Sequence, residues 1–194
     1  GTSAGSIDAA LFELEKKINL VGSASKKIPE NLKSEITKLS NTQKNLNDYP
    51  TKSLIKLDES FALETANLIN KLLTKLNINK NLVHAIGSHG QTIQHFPRID
   101  KPYSLQIGNP RIISKVTGIK TVGNFRKANI EHGGIGAPLT PAFHKEIFFS
   151  KKLNRGIINI GGITNITRLI PGKKIIGWDS GPGNCMIDQC VKEF

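Results

Sequence analysis

The sequence is short of several things at once, and each shortage closes off a class of function. It has two cysteines, Cys185 and Cys190, five residues apart. That spacing suits neither a zinc clamp nor a disulfide framework, so a reducing compartment is expected. No uncharged apolar run approaches the roughly 18 residues of a membrane helix, so no membrane partner is expected. No secretory leader is legible, which makes the cytoplasm the expected location. Aromatic residues are 6% of the chain, with one Trp and two Tyr. Acidic residues are also scarce: 15 Asp and Glu against 27 Lys and Arg give a formal charge of +12. A basic balance suits nucleic acid, an anionic membrane or an anionic small molecule. The lysines are scattered among Asn and Ile, and few rings are available to stack on bases. A solvated lysine-rich face is therefore expected, with no nucleic-acid partner.

The remainder is the composition of a globular protein, with 38% apolar residues in 194. Small residues over Gly1–Ile7 predict a loop before Asp8. Pro29 followed by Leu32, Ile36 and Leu39 predicts a short amphipathic helix. A longer helix is expected over Leu57–Leu76, with Asp58 as N-cap and Phe61, Leu68, Leu72 and Leu76 on one face. Strand-like runs follow at Leu82–Ser88, Ser104–Ile107, Ile119–Val122, Arg155–Ile160, Ile166–Ile170 and Lys174–Trp178. Asn109-Pro110 opens a helix, Pro141–Phe149 forms another, and Pro182–Phe194 starts a third. Alternation of strands and helices makes the class α/β. The chain opens without Met and closes inside an expected helix, so both ends are expected to be cut.

Glycine is concentrated where chemistry is expected. Between Thr121 and His144, Gly123, Gly133, Gly134 and Gly136 surround Asn124, Arg126 and His132. Such density suits a backbone that approaches a ligand closely, and the arginine and amide make that ligand polar. Three further turns could hold an anion through converging backbone N–H groups. GTSAGSID spans Gly1–Asp8. NIGGITNIT, Asn159–Thr167, is a strand, a Gly-Gly turn and a second strand, which serves equally as a plain hairpin or as a phosphate clamp. WDSGPGN, Trp178–Asn184, places Asp179 at a strand end beside a helix start, where it is either an N-cap or a magnesium ligand. In IGSHGQTIQHFP, Ile86–Pro97, the residues His89, Gln91 and His95 follow an apolar strand, and α/β proteins bind ligands at strand ends. His84 and His144 fit packing roles.

Taken in order, GTSAGSID, IGSHGQTIQHFP, LQIGNP, TVGNFR, GGIGAPLTPAFH, INIGGITNIT and GWDSGPGN resemble the anhydro-N-acetylmuramic acid kinase family over almost the whole chain. The resemblance implies the actin-like ATPase (ribonuclease H-like) two-domain fold with its C-terminal part missing. It divides the chain into an N-terminal domain, 1–121, and the start of a second, 122–194. It implies ATP and Mg2+ as cofactors and 1,6-anhydro-N-acetylmuramic acid as substrate. The γ-phosphate would go to the 6-oxygen while water opens the anhydro ring, giving N-acetylmuramic acid 6-phosphate in peptidoglycan recycling. Family members may also pair as homodimers.

By the same resemblance, Gly1, Thr2, Ser3, Ala4, Gly5, Ser6, Ile7 and Asp8 would form the first phosphate loop. Asn159, Gly161, Gly162, Asn165 and Thr167 would form the second, with Asp179 near the metal. Ser88, His89, Gly90, Gln91, Thr92, Gly133 and Gly134 would meet the sugar, beside Arg126. The chain departs from the family pattern in two motifs. Ala4, Gly5 and Ser6 replace Met-Asp-Gly, and Asn124 replaces the aspartate expected to be the general base. An amide can orient water but cannot take its proton. Asn109, Asn129 and Ile135 also stand where acidic residues or glutamine are commoner. The alternative to an active kinase is an impaired, truncated remnant that binds sugar or nucleotide without turnover.

Overall fold

The computed structural model describes residues 5–15, 17–43, 45–46, 51–97 and 99–193. Residues Gly1 to Ala4, half of the expected first phosphate loop, lie outside it. The first elements are two long antiparallel strands, β1 (Ser6–Leu14) and β2 (Ile18–Lys27). Their register runs from Ser6 opposite Lys27 to Leu14 opposite Ile18, with an irregularity between Leu11 and Phe12. The loop expected before Asp8 is therefore already strand from Ser6. Ile7 is buried while Ser6 and Asp8 are exposed, so one face meets the core.

Helix α1 (Glu30–Ser40) starts after Pro29, as the proline predicts, and buries Ile36 and Leu39. Helix α2 (Lys52–Lys75) starts earlier than expected. Thr51 is its N-cap, accepting a hydrogen bond from the Leu54 N–H at 3.1 Å. Asp58, the expected cap, lies in the second turn. The apolar stripe of α2 buries Leu54, Leu57, Phe61, Leu68 and Leu72, and the principal core joins the first four to Ile7, Ile28, Ile36, Ile93 and Ile107. At the polar margin, Lys26 on β2 pairs with Glu64 on α2.

After α2 the chain makes a 3₁₀ turn at Lys80–Leu82 and a two-residue strand, β3 (Ile86–Gly87). Most of the strand expected over Leu82–Ser88 is thus irregular, and His84 is exposed outside it. A hairpin follows, β4 (Gln91–Phe96) with β5 (Tyr103–Ile107). Strand β4 is unexpected, because its inward residues include Gln91 and Gln94. Gln94 is satisfied inside: Oε1 accepts from Leu46 N–H at 3.1 Å and from the Tyr103 hydroxyl at 3.0 Å, and Nε2 donates to the Thr42 carbonyl at 3.0 Å. Helix α3 (Pro110–Thr117) opens as Asn109-Pro110 predicts, and its Ile113 is fully buried against Ala62 and Ala66 of α2.

Strand β6 (Thr121–Val122) lies parallel to β3. The glycine-rich stretch then forms a helix with no signal in the sequence, α4 (Phe125–Glu131), followed by the expected helix α5 (Thr140–Phe148). A three-stranded antiparallel sheet ends the chain. It comprises β7 (Arg155–Ile160), β8 (Ile163–Leu169) and β9 (Ile176–Pro182), in that order across the sheet, followed by α6 (Asn184–Glu193). Asn159–Thr167 is thus a hairpin in form. Asp179 lies inside β9, opposite Asn165, and is not the cap of α6. The architecture is mixed α/β, and the described strands fall into four small sheets in which β3–β6 is the parallel pair.

Inside this last unit, α5 is fastened to the sheet by a polar contact. His144 Nδ1 lies 2.8 Å from Thr167 Oγ1, and His144 and Thr167 are 8% and 0% exposed. Thr167→Val would leave the buried imidazole nitrogen unpaired. It is expected to cost about 1–3 kcal/mol. Thermal unfolding checks this, and an unchanged midpoint would show that the hydroxyl carries no such role.

Candidate active site

Two clefts share one wall, and that wall is the segment Ser88-His89-Gly90. The first cleft, about 390 Å³, lies between β1 and the β3–β4 connection. Ser6, Ile7 and Asp8 line one side, Ser88 to Gln91 the other, and Phe61, Thr65 and Ile69 of α2 the floor. The second cleft, about 430 Å³, opens on the other side of the same wall. It is lined by Ser88, His89 and Gly90, by the Gly108–Arg111 turn and by Asn124. Positions 6–8 across one cleft and position 124 across the other therefore both face Ser88-His89-Gly90.

Gly90 makes the wall possible. Its φ is +70°, and an added Cβ would overlap the carbonyl oxygen of Ile107. Only glycine combines that backbone angle with that approach. Gln91, next in the chain, is buried, and its side-chain amide donates to the Thr92 carbonyl at 3.2 Å. The Thr92 hydroxyl is also buried and has no hydrogen-bond partner among the described residues. Gln91 is thus buried, whereas Ser88, His89 and Thr92 are half-buried.

Asp58 contributes to this site without having been expected there. Its Oδ1 accepts from the Gly108 N–H at 2.7 Å, and its Oδ2 accepts from Asn109 Nδ2 at 3.3 Å. It also lines the second cleft. Helix α2 thereby grips the turn that faces Asn124. The available signal was a carboxylate one residue after Leu57 and three before Phe61, on the inner side of an amphipathic helix.

Asn124 adopts the left-handed conformation, φ 60° and ψ 28°, at the N-cap of α4. Its side chain makes no capping bond and is exposed. Asn tolerates this region better than most side chains. Two residues on, Arg126 is half-buried. Its Nε donates to His89 Nε2 at 2.7 Å, and its Nη1 donates to the Gly136 carbonyl at 2.8 Å. Burial pushes the Arg126 pKa down, and the Asp179 carboxylate pushes it back up. Burial also lowers His89, opposed by its hydrogen bond to Gly90 and reinforced by the Arg126 charge. His95 is lowered by burial and by Arg126, and raised by Asp179. Asp179 of β9 is thus within electrostatic reach of Arg126 and His95.

The glycine loop after α4 is organised by Asn129, whose Oδ1 accepts from the Gly136 N–H at 2.8 Å. Gly134 lies so close to that side chain that a Cβ would overlap it. Gly133 is open, with nothing near the position of its missing Cβ. The Gly161-Gly162 turn is held to the start of α6. Gly183 N–H donates to Gly162 at 2.9 Å, and Asn184 N–H donates to Gly161 at 2.7 Å. Asn159 is exposed, Asn165 is half-buried and accepts from Thr140 at 3.5 Å, and Thr167 is committed to His144. No group of three or more His, Cys, Asp or Glu suited to a metal occurs among the described residues. One exposed carboxylate, Asp179, nevertheless suits Mg2+, which typically takes one or two carboxylates together with substrate phosphates. No helix among the described residues is long and apolar enough to cross a membrane.

Comparison with known proteins shows the family. The family model described as anhydro-N-acetylmuramic acid kinase matches residues 1–194. A protein of that name from Shewanella woodyi is 42% identical over 196 residues, covering 100% of this chain and 52% of the relative. Another, from Shewanella denitrificans, is 41% identical over 98% of this chain and 51% of its own. The Haemophilus influenzae protein is 35% identical over 100% of this chain and 50% of its own. The chain spans about half the length of these curated relatives. On the match along its full length, the chain belongs to the anhydro-N-acetylmuramic acid kinase family.

Proposed function

We propose that this chain carries the phosphate and sugar loops of a kinase that phosphorylates 1,6-anhydro-N-acetylmuramic acid with hydrolytic opening of its anhydro ring. The observation that carries the reading is the shared wall. Ser88-His89-Gly90 has positions 6–8 of the first phosphate loop across one cleft and Asn124 across the other. Backbone amides near Gly5–Asp8 and Gly161–Gly162 would cradle the phosphates of ATP, with Thr167 supporting the second loop from beneath. Asp179 would hold Mg2+, which when bound supplies charge neutralisation at the phosphates. Ser88, Gly133 and Gly134 would flank the sugar, with Arg126 beside them and His89 holding Arg126. The fold would be the actin-like, two-domain type, divided near Val122. The core clusters fit that division, since their members lie between Ile7 and Ile113. Peptidoglycan recycling, a cytoplasmic location and pairing into homodimers come with the reading.

One observation favours a second reading, a binding protein without turnover. Asn124 presents an amide to the cleft where this reaction calls for a base. Binding is common to both readings, and titration calorimetry with 1,6-anhydro-N-acetylmuramic acid tests it. Saturable heat is expected even where no product forms. A folded protein that gives no heat would remove the sugar site.

A further inference from the structure

Both ring nitrogens of His89 are committed inside the protein. Nδ1 lies 2.9 Å from the Gly90 carbonyl oxygen, which only accepts, so Nδ1 bears the proton. Nε2 lies 2.7 Å from Arg126 Nε, whose N–H only donates, so Nε2 is a bare lone pair. The two contacts select one neutral tautomer from geometry. We propose that His89 is a positioning residue and not a sugar ligand: its Nε2 lone pair and the Gly136 carbonyl together hold the Arg126 guanidinium, leaving the remaining Nη donors to an anionic ligand. A planar guanidinium held at two of its nitrogens has its remaining donors fixed in direction.

Protonation would undo the arrangement. A second N–H on His89 would face the Arg126 N–H, and two positive charges would meet at hydrogen-bond distance. Among the described residues, the charged groups acting on Arg126 and its neighbours are His95 on β4 and Asp179 on β9. Burial, foremost, keeps His89 below its ordinary 6.5. The neutral form therefore persists at neutral pH, and the hold on Arg126 is lost as pH falls through the depressed value.

The inference rests on the proposed function only for its binding probe. In the 15N-labelled protein, long-range 1H–15N spectra are expected to show His89 protonated at Nδ1 alone and a slowly exchanging Arg126 Nε–H. An Nε2–H tautomer, or a freely exchanging Nε–H, would overturn it. Calorimetry with 1,6-anhydro-N-acetylmuramic acid then separates positioning from direct contact. His89→Gln keeps an acceptor that does not titrate. It is expected to bind nearly as wild type and to lose the weakening at acidic pH. His89→Phe and Arg126→Ala are each expected to weaken binding about 10–100-fold, on the scale of a hydrogen bond to a charged group. The double variant should be no weaker than the worse single. Additive losses, or His89→Gln failing as badly as His89→Phe, would make His89 a ligand and sink the proposal. If the spectra are as expected and wild type gives no heat, the sugar reading fails and the His89 assignment stands.

Discussion

Asn124→Asp is expected to raise turnover by about 10²–10⁴-fold in a chain of the relatives' full length, the usual worth of a general base. The substitution is nearly isosteric and enters a site able to take it. Asp tolerates the left-handed backbone that Asn124 adopts, as Asn does. The side chain has no capping bond to lose, and a negative charge at the start of α4 is favourable. It also lies at the cleft shared with Ser88 and His89. Folding stability should therefore change little while the rate of N-acetylmuramic acid 6-phosphate formation rises. The rate should also acquire a dependence on ionisation of the new carboxylate, falling as pH drops through its pKa. An unchanged rate, with stability preserved, would show that position 124 does not supply the base.

Gly90→Ala is expected to be among the most damaging single substitutions, costing about 2–5 kcal/mol. Roughly 1–2 kcal/mol comes from placing an L-residue at φ +70°, and about 1–3 kcal/mol from overpacking. The overlap is with the backbone oxygen of Ile107, a residue paired in register with Gln91 and itself in the core. A flexible side chain could swing aside, but a carbonyl in a paired strand cannot. The Gly90 carbonyl also carries His89 Nδ1, so the tautomer lock should loosen with the wall. Denaturant unfolding measures the stability, and calorimetry measures the sugar affinity. A variant of native stability would show that the β4–β5 hairpin shifts freely, against the tight approach described above.

How far the sequence carried can be judged from particular elements. Asn109-Pro110 announced α3 because capping and a fixed proline φ act within two residues. Strand β7 matched its apolar run from Arg155 to Ile160. Strand β4 was not legible, because Gln91 and Gln94 look like surface or ligand residues. Gln94 is inside because Thr42 and Leu46, 52 and 48 residues away, and Tyr103 across the hairpin satisfy it. Helix α4 was hidden by glycines on both sides. Asp58 looked like a cap and is a clamp, since its partners lie 50 and 51 residues away. At the site, the motifs themselves were legible as glycine turns and polar pairs. Their mutual arrangement was not: nothing in SHGQT or NFR says that His89 and Arg126 touch.

By itself, then, the sequence determined the family, through seven ordered motifs, and the residue types available for chemistry, including the amide at 124. Those properties are written in side-chain identity and short spacing, which do not need a fold to be read. Tertiary structure decided which of those residues face a cleft, which are spent on one another and which are buried. These are outcomes of long-range packing around α2, where contacts separated by tens of residues compete for the same donors and acceptors.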